Sequence, residues 1–165
     1  MEIQPKKKML LLRYNNYKNN DFIEAHNGVV DKNGYSWMLK IGKDITKFKL
    51  EQVMSDGGLL ILKAPKSAGG LYYISTIIEY YFGENKKDMV FPGYYHDMVN
   101  DVNLWQMSGL EGSWLKVERI VPLPDGFEKN LTLVSNSKKV DEVVKRTRSS
   151  MLYVQSEIDY LIESR

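Results

Sequence analysis

The chain has 165 residues, 43% hydrophobic and 27% charged, which fits one domain spanning residues 1–165 with a core that needs no covalent staples. It has no cysteine and only two histidines, His26 and His96, so disulfides, thiolate chemistry and Cys-ligated zinc are excluded, and no metal or other cofactor is expected. A net charge of +2 permits an anionic partner without requiring one, and no apolar run approaches the roughly 20 residues of a membrane span, so the expectation is a soluble, cytoplasmic protein with no membrane partner.

Residues 9–14 form a short apolar run that ends in the polar cluster NNYKNN, the pattern of a buried strand followed by a loop. Asp21 then opens a helix, with Glu24 in capping-box spacing and Phe22, Ile23, His26, Val29 and Val30 on one face; Asn33 and Gly34 end it. Residues 35–41 (YSWMLKI) alternate as a second strand, with Tyr35, Trp37, Leu39 and Ile41 on one face and Ser36, Met38 and Lys40 on the other. Residues 45–55 carry a weaker helical pattern closed by Asp56, Gly57 and Gly58.

Two strands, 59–63 and 71–82, follow, joined by a Gly-rich loop that is long for a tight hairpin turn. Residues 83–112 show no sustained period, and a stretch of that length inside a compact domain signals a functional loop or a missed short element. Residues 114–121 alternate as one strand closed by Pro122 and Pro124. A short apolar run at 131–134, a helix over 138–148 packing Val140, Val143, Val144 and Thr147, a last strand at 151–155 and a terminal helical turn complete the order.

This order, with the texts DGGLLILKAPKSAGGLYYISTIIEYY (56–81) and SWLKVERIVPLPDGF (113–127), resembles the PUA-like superfamily, which includes the EVE, YTH and ASCH domains. Asp56 stands before two glycines where the family usually has Gly then Asp, and the ASCH signature of Gly, Lys, Glu and Arg is absent. The resemblance implies an α+β fold: a PUA-like small mixed β-barrel of about six strands with two or three flanking helices. Modules of EVE and YTH type, which also occur at the front of modification-dependent restriction systems, hold a flipped or modified base in an aromatic cage.

On that reading the protein binds nucleic acid, DNA or RNA, without catalysis, and takes a methylated or hydroxymethylated cytosine or adenine. The resemblance makes Trp37, just after the first helix, one cage wall. Trp105, Tyr94 and Tyr95 lie in the aperiodic stretch that could close over a ligand, and each aromatic partner returns about 1–3 kcal/mol to an unstacked base. Asn15 or Asn16, Ser36 beside Trp37 and Asp97 beside Tyr95 could read the base edge. Phosphate contacts would come from Lys40, Lys43, Lys63 and Lys66 near the strand ends and from Lys138, Lys145, Arg146 and Arg148 on the late helix.

Each feature has a plainer reading. Trp37 is equally a packed core residue, Trp114 reads as core, the asparagines are turn formers, and the basic residues form a solvated face. His26 reads as a packed, hydrogen-bonded histidine. His96 beside Asp97 lacks a nucleophile motif. The chain has no phosphate loop and no carboxylate cluster for a metal, so in a restriction context cleavage would belong to a nuclease or NTPase partner. The alternatives are an ASCH-type enzyme acting on RNA or a modified nucleoside through Lys63, Glu79 and Tyr94, and a tyrosine-rich protein-interaction module.

Overall fold

The computed structural model describes residues 7–14, 21–39, 45–81, 90–92, 114–145 and 151–156. They build an α+β fold around a mixed sheet. The eight strands are β1 (Lys8–Arg13), β2 (Ser36–Leu39), β3 (Leu59–Lys63), β4 (Tyr72–Tyr81), β5 (Trp114–Val117), β6 (Val121–Pro122), β7 (Leu131–Leu133) and β8 (Met151–Ser156). Three helices accompany them: α1 (Phe22–Asn33), α2 (Lys47–Ser55) and the single turn α3 (Val140–Val143).

The strand order is β2-β5-β4-β3-β1-β8-β7, with β6 pairing β4 off that path. Among the described strands only β1 and β3 run parallel, with Leu12 beside Leu62 and Arg13 beside Lys63. Both faces of this central pair are covered, which is why β1 reads as an unbroken apolar run. Leu10, Leu12, Leu60 and Leu62 pack with Phe22 of α1 and with Leu50 and Val53 of α2. Met9, Leu11 and Ile61 pack on the other side with Phe127, Leu131, Val140 and Val144.

The local chemistry of the first helix matches its text. The Asp21 carboxylate accepts from the Glu24 N–H, and Gly34 takes the left-handed conformation with its N–H bonded to Val30 O. His26 is buried on its inner face, as its place between Phe22 and Val30 leads one to expect.

Three expectations need correction. Among the described residues the sheet is not closed into a barrel. Its end strands β2 and β7 meet other segments: the Trp37 N–H donates to Val90 O at 2.9 Å beside β2, and Thr132 bridges Lys139 beside β7. The barrel is what the resemblance implies; the structure instead has a β4 whose pairing is divided. Its first half pairs β3 and β6, an irregularity falls between Ile77 and Glu79, and its second half pairs β5, so one strand serves two sheets.

The run 114–121 is two strands, because side chains from elsewhere take the carbonyls between them. Glu118 O accepts from Ser75 Oγ at 3.0 Å and lies 2.8 Å from His26 Nε2, and Arg119 O accepts from Ser75 Oγ at 2.9 Å. The late helix is described only over Val140–Val143, starting later than expected because Lys139 is held in the bridge to Thr132. Residues 146–150 and 157–165, where the rest of that helix and the terminal turn were expected, lie outside the described residues.

Candidate nucleic-acid interface

The register of β2, β5 and β4 collects aromatic side chains on one face. Trp37 stands opposite Lys116, Glu79 opposite Lys116, and Tyr81 opposite Trp114, so these five share the face turned away from Met38, Leu115 and Val117. Phe91 stacks on Trp114 with ring centroids 5.8 Å apart and planes 22° apart. The Lys116 ammonium sits 4.0 Å over the Tyr35 ring and 3.8 Å from the Glu79 carboxylate. The face is therefore rich in aromatic rings and holds the Lys116 ammonium between Tyr35 and Glu79.

The described residues that bound the long aperiodic stretch, Tyr81 and Trp114, belong to this face. Tyr81 ends β4 and Trp114 begins β5, and the two are register partners. Between these two in the chain lie residues 82–113, which include Tyr94, Tyr95, Asp97 and Trp105 and of which only residues 90–92 are described. Trp37 is 3% exposed and Trp114 1%, so a base reaches either indole only by displacing what covers it.

Helix α1 precedes β2 and is clamped from the side opposite the indoles. Asn27 holds both backbone groups of Ile120, and Asp31 pairs with Arg119. Burial pushes the His26 imidazole down to about 4, against the upward pull of its backbone hydrogen bonds, so the ring is neutral at pH 7. Ser36 is buried on the core face of β2, opposite Trp37, with its hydroxyl donating to Trp37 O at 3.3 Å. Ser36 and Trp37 thus lie back to back across the strand.

A second, basic feature stands where the parallel strands end. Register places Arg13, Lys63 and Tyr72 side by side across β1, β3 and β4. The Lys63 ammonium lies 4.7 Å over the Tyr72 ring and donates to Gly70 O at 3.2 Å. Burial, with Arg13 next, holds that ammonium below the usual lysine range, and burial pushes the Tyr72 phenol up to about 12. Lys66 is exposed on the 3₁₀ turn Lys66–Ala68, and Glu128 and Asp141 supply opposing charge. Like charges on adjacent strands repel, which suits the row to an anion.

Of the residues singled out in the sequence, the structure brings Lys63 and Lys66 together and adds Arg13, which sequence reading missed. Its signal was the position before Tyr14, where β1 ends. Lys138 lies beyond β7, three strands from Lys63, and Lys145 is exposed after α3. Lys8 lies in β1 with its N–H bonded to Asp56 Oδ2 at 2.9 Å. Trp105, Tyr94, Tyr95, His96, Asp97, Asn15, Asn16, Lys40, Lys43, Arg146 and Arg148 fall outside the described residues.

Of the polar set of the enzyme alternative, Tyr94 lies outside the described residues, and Lys63 and Glu79 are not together. Lys63 pairs Tyr72 at one end of β4, while Glu79 lies seven positions further on, about 23 Å along an extended strand. Among the described residues no three His, Cys, Asp or Glu side chains could hold a metal ion, and no helix is long and apolar enough to cross a membrane. No protein-family model, curated protein or solved structure matches the chain.

Proposed function

We propose that this protein is a nucleic-acid-binding module that captures a flipped, modified base, a methylated or hydroxymethylated cytosine or adenine, and does so without turnover. The observation that carries the reading is the face shared by Trp37, Trp114 and Tyr81, with Phe91 stacked on Trp114; Tyr81 and Trp114 bound the stretch of chain bearing Tyr94, Tyr95 and Trp105. A base taken out of its stack needs flat aromatic partners and a site shielded from water. The face offers the aromatic partners, and a base would gain them by displacing what covers the two buried indoles.

Arg13, Lys63 and Lys66 then receive the backbone. They provide the sequence-independent, salt-sensitive part of binding, and the aromatic face provides discrimination. A PUA-like ancestry fits the order of elements and the bent β4, and in a restriction system the module would deliver its target to a separate nuclease or NTPase.

The test is a tryptophan-fluorescence titration with short DNA and RNA oligonucleotides, single-stranded and duplex, each unmodified or carrying one methylated or hydroxymethylated base, at low and high salt. Preference for one modification, with quenching that survives high salt, is the expected result. Binding that ignores the modification and vanishes with salt, or no binding, would overturn base capture.

A further inference from the structure

The chain holds two Asn-Gly pairs, Asn27-Gly28 and Asn33-Gly34, and both belong to α1 and its cap. Such a pair is self-reactive, because glycine has no Cβ to keep its backbone nitrogen away from the preceding side chain. The glycine nitrogen attacks the asparagine Cγ: an N–Cγ bond forms, the bond from Cγ to the amide nitrogen breaks, and ammonia leaves with the proton that the glycine nitrogen gave up. Water then opens the cyclic imide at either carbonyl, giving aspartate or isoaspartate. Helical backbone holds the reacting atoms apart, so the rate follows how easily each site opens.

The fold treats the two pairs differently. Asn27 is half-buried in the middle of α1, and its amide both donates to Ile120 O at 2.9 Å and accepts from Ile120 N at 2.8 Å. Cyclisation there would break the helix from within and release the segment between β5 and β6. Asn33 is exposed at the last position of α1. Its Nδ2 donates to Val29 O at 3.2 Å and the Gly34 N–H donates to Val30 O at 2.7 Å, so both bonds run back to the same final turn. Fraying of that turn frees them together, and helix ends open at little cost. The space beside Gly34 is open as well, with nothing within 4 Å of where a Cβ would stand.

The products would change the joint between α1 and β2. Tyr35, whose ring lies 4.0 Å from the Lys116 ammonium, and Ser36, the first residue of β2, follow Gly34 directly. Aspartate at this position loses the donor to Val29 O and puts a negative charge at the negative end of the helix dipole. Isoaspartate also routes the backbone through Cβ, which adds one carbon to the joint.

We infer that Asn33 is a site of spontaneous deamidation that loosens the end of α1, and that Asn27, in the same dipeptide, is spared by its bonds to Ile120. Water is the only co-reactant, and nothing in the inference depends on what the aromatic face binds. The experiment is incubation of the purified protein at 37 °C, folded and in urea, at neutral and at alkaline pH, followed by peptide mapping with mass spectrometry. Lys32 lies between the two asparagines, so trypsin places them in separate peptides.

In the folded protein Asn33 should convert on the order of tenfold faster than Asn27, and faster at alkaline pH, where the attacking nitrogen loses its proton more readily. In urea the two should convert at similar rates, since the dipeptide is the same. Equal rates in the folded protein, a faster Asn27, or an unchanged Asn33 while the unfolded chain converts would each overturn the assignment. Asn33→Asp, which reproduces one product, should melt about 1–3 °C below wild type. An unchanged melting temperature would overturn the loosening of α1.

Discussion

Asn27 and Ile120, 93 residues apart, are joined by a reciprocal pair of hydrogen bonds: Asn27 Nδ2 donates to Ile120 O at 2.9 Å, and Asn27 Oδ1 accepts from Ile120 N at 2.8 Å. One side-chain amide thereby replaces a missing strand neighbour at the break between β5 and β6. Truncation in Asn27→Ala leaves a backbone donor and acceptor of buried Ile120 unmet, and should cost about 2–3 kcal/mol in urea unfolding. A loss below about 0.5 kcal/mol would show that water takes over both bonds.

His26 makes stability depend on pH. Its folded value of about 4 lies below the ordinary 6.5, so the unfolded chain binds the proton more readily. The contribution is complete above pH 6.5 and is lost progressively as pH falls toward 4, by at most about 3 kcal/mol. The His26→Gln variant should be less stable at pH 7.5 but show a flatter dependence between pH 6.5 and 4.5. Parallel curves for the two proteins would remove His26 as the source.

Two glycines should respond to alanine with opposite sign. At Gly58, where φ is +70°, an added Cβ would lie 2.6 Å from Ile77 O, and the same residues are joined by the Ile77 N–H donating to Gly58 O. Backbone must move, and Gly58→Ala should destabilise by about 2 kcal/mol or more. Gly28 lies within α1 with nothing near its Cβ position, so Gly28→Ala should stabilise by about 0.5–1 kcal/mol. Thermal melts of both variants against wild type decide the matter.

The aromatic face and the basic row should separate in binding. Trp37→Phe and Trp105→Ala should each weaken modified-base binding by about 1–3 kcal/mol and reduce discrimination against the unmodified base. Lys63→Met, which keeps the stem over Tyr72, should weaken all sequences alike and lower the salt slope by about 1. Full affinity in both tryptophan variants would remove the cage, and an unchanged salt slope would take Lys63 off the phosphate path.

Where information is local, the sequence was sufficient. The cap at Asp21, the left-handed stop at Gly34 and the unbroken apolar text of β1 each depend on neighbours within a few positions, so α1 and the central strands could be placed from the residues alone. The division of β2 into an indole face and a Ser36 face also follows from its pleat.

Tertiary structure decided what depends on distant partners. Periodicity at 114–121 could not show that His26 and Ser75, 92 and 43 residues away, would meet the Glu118 carbonyl and split the strand. Nor could it show that β4 would change partners at Ile77. The Arg13–Lys63–Tyr72 row and the shared face of Trp37, Trp114 and Tyr81 exist only through strand register. Register is set by long-range pairing, and a local pattern says which side of a strand a residue takes but not which residue will stand beside it.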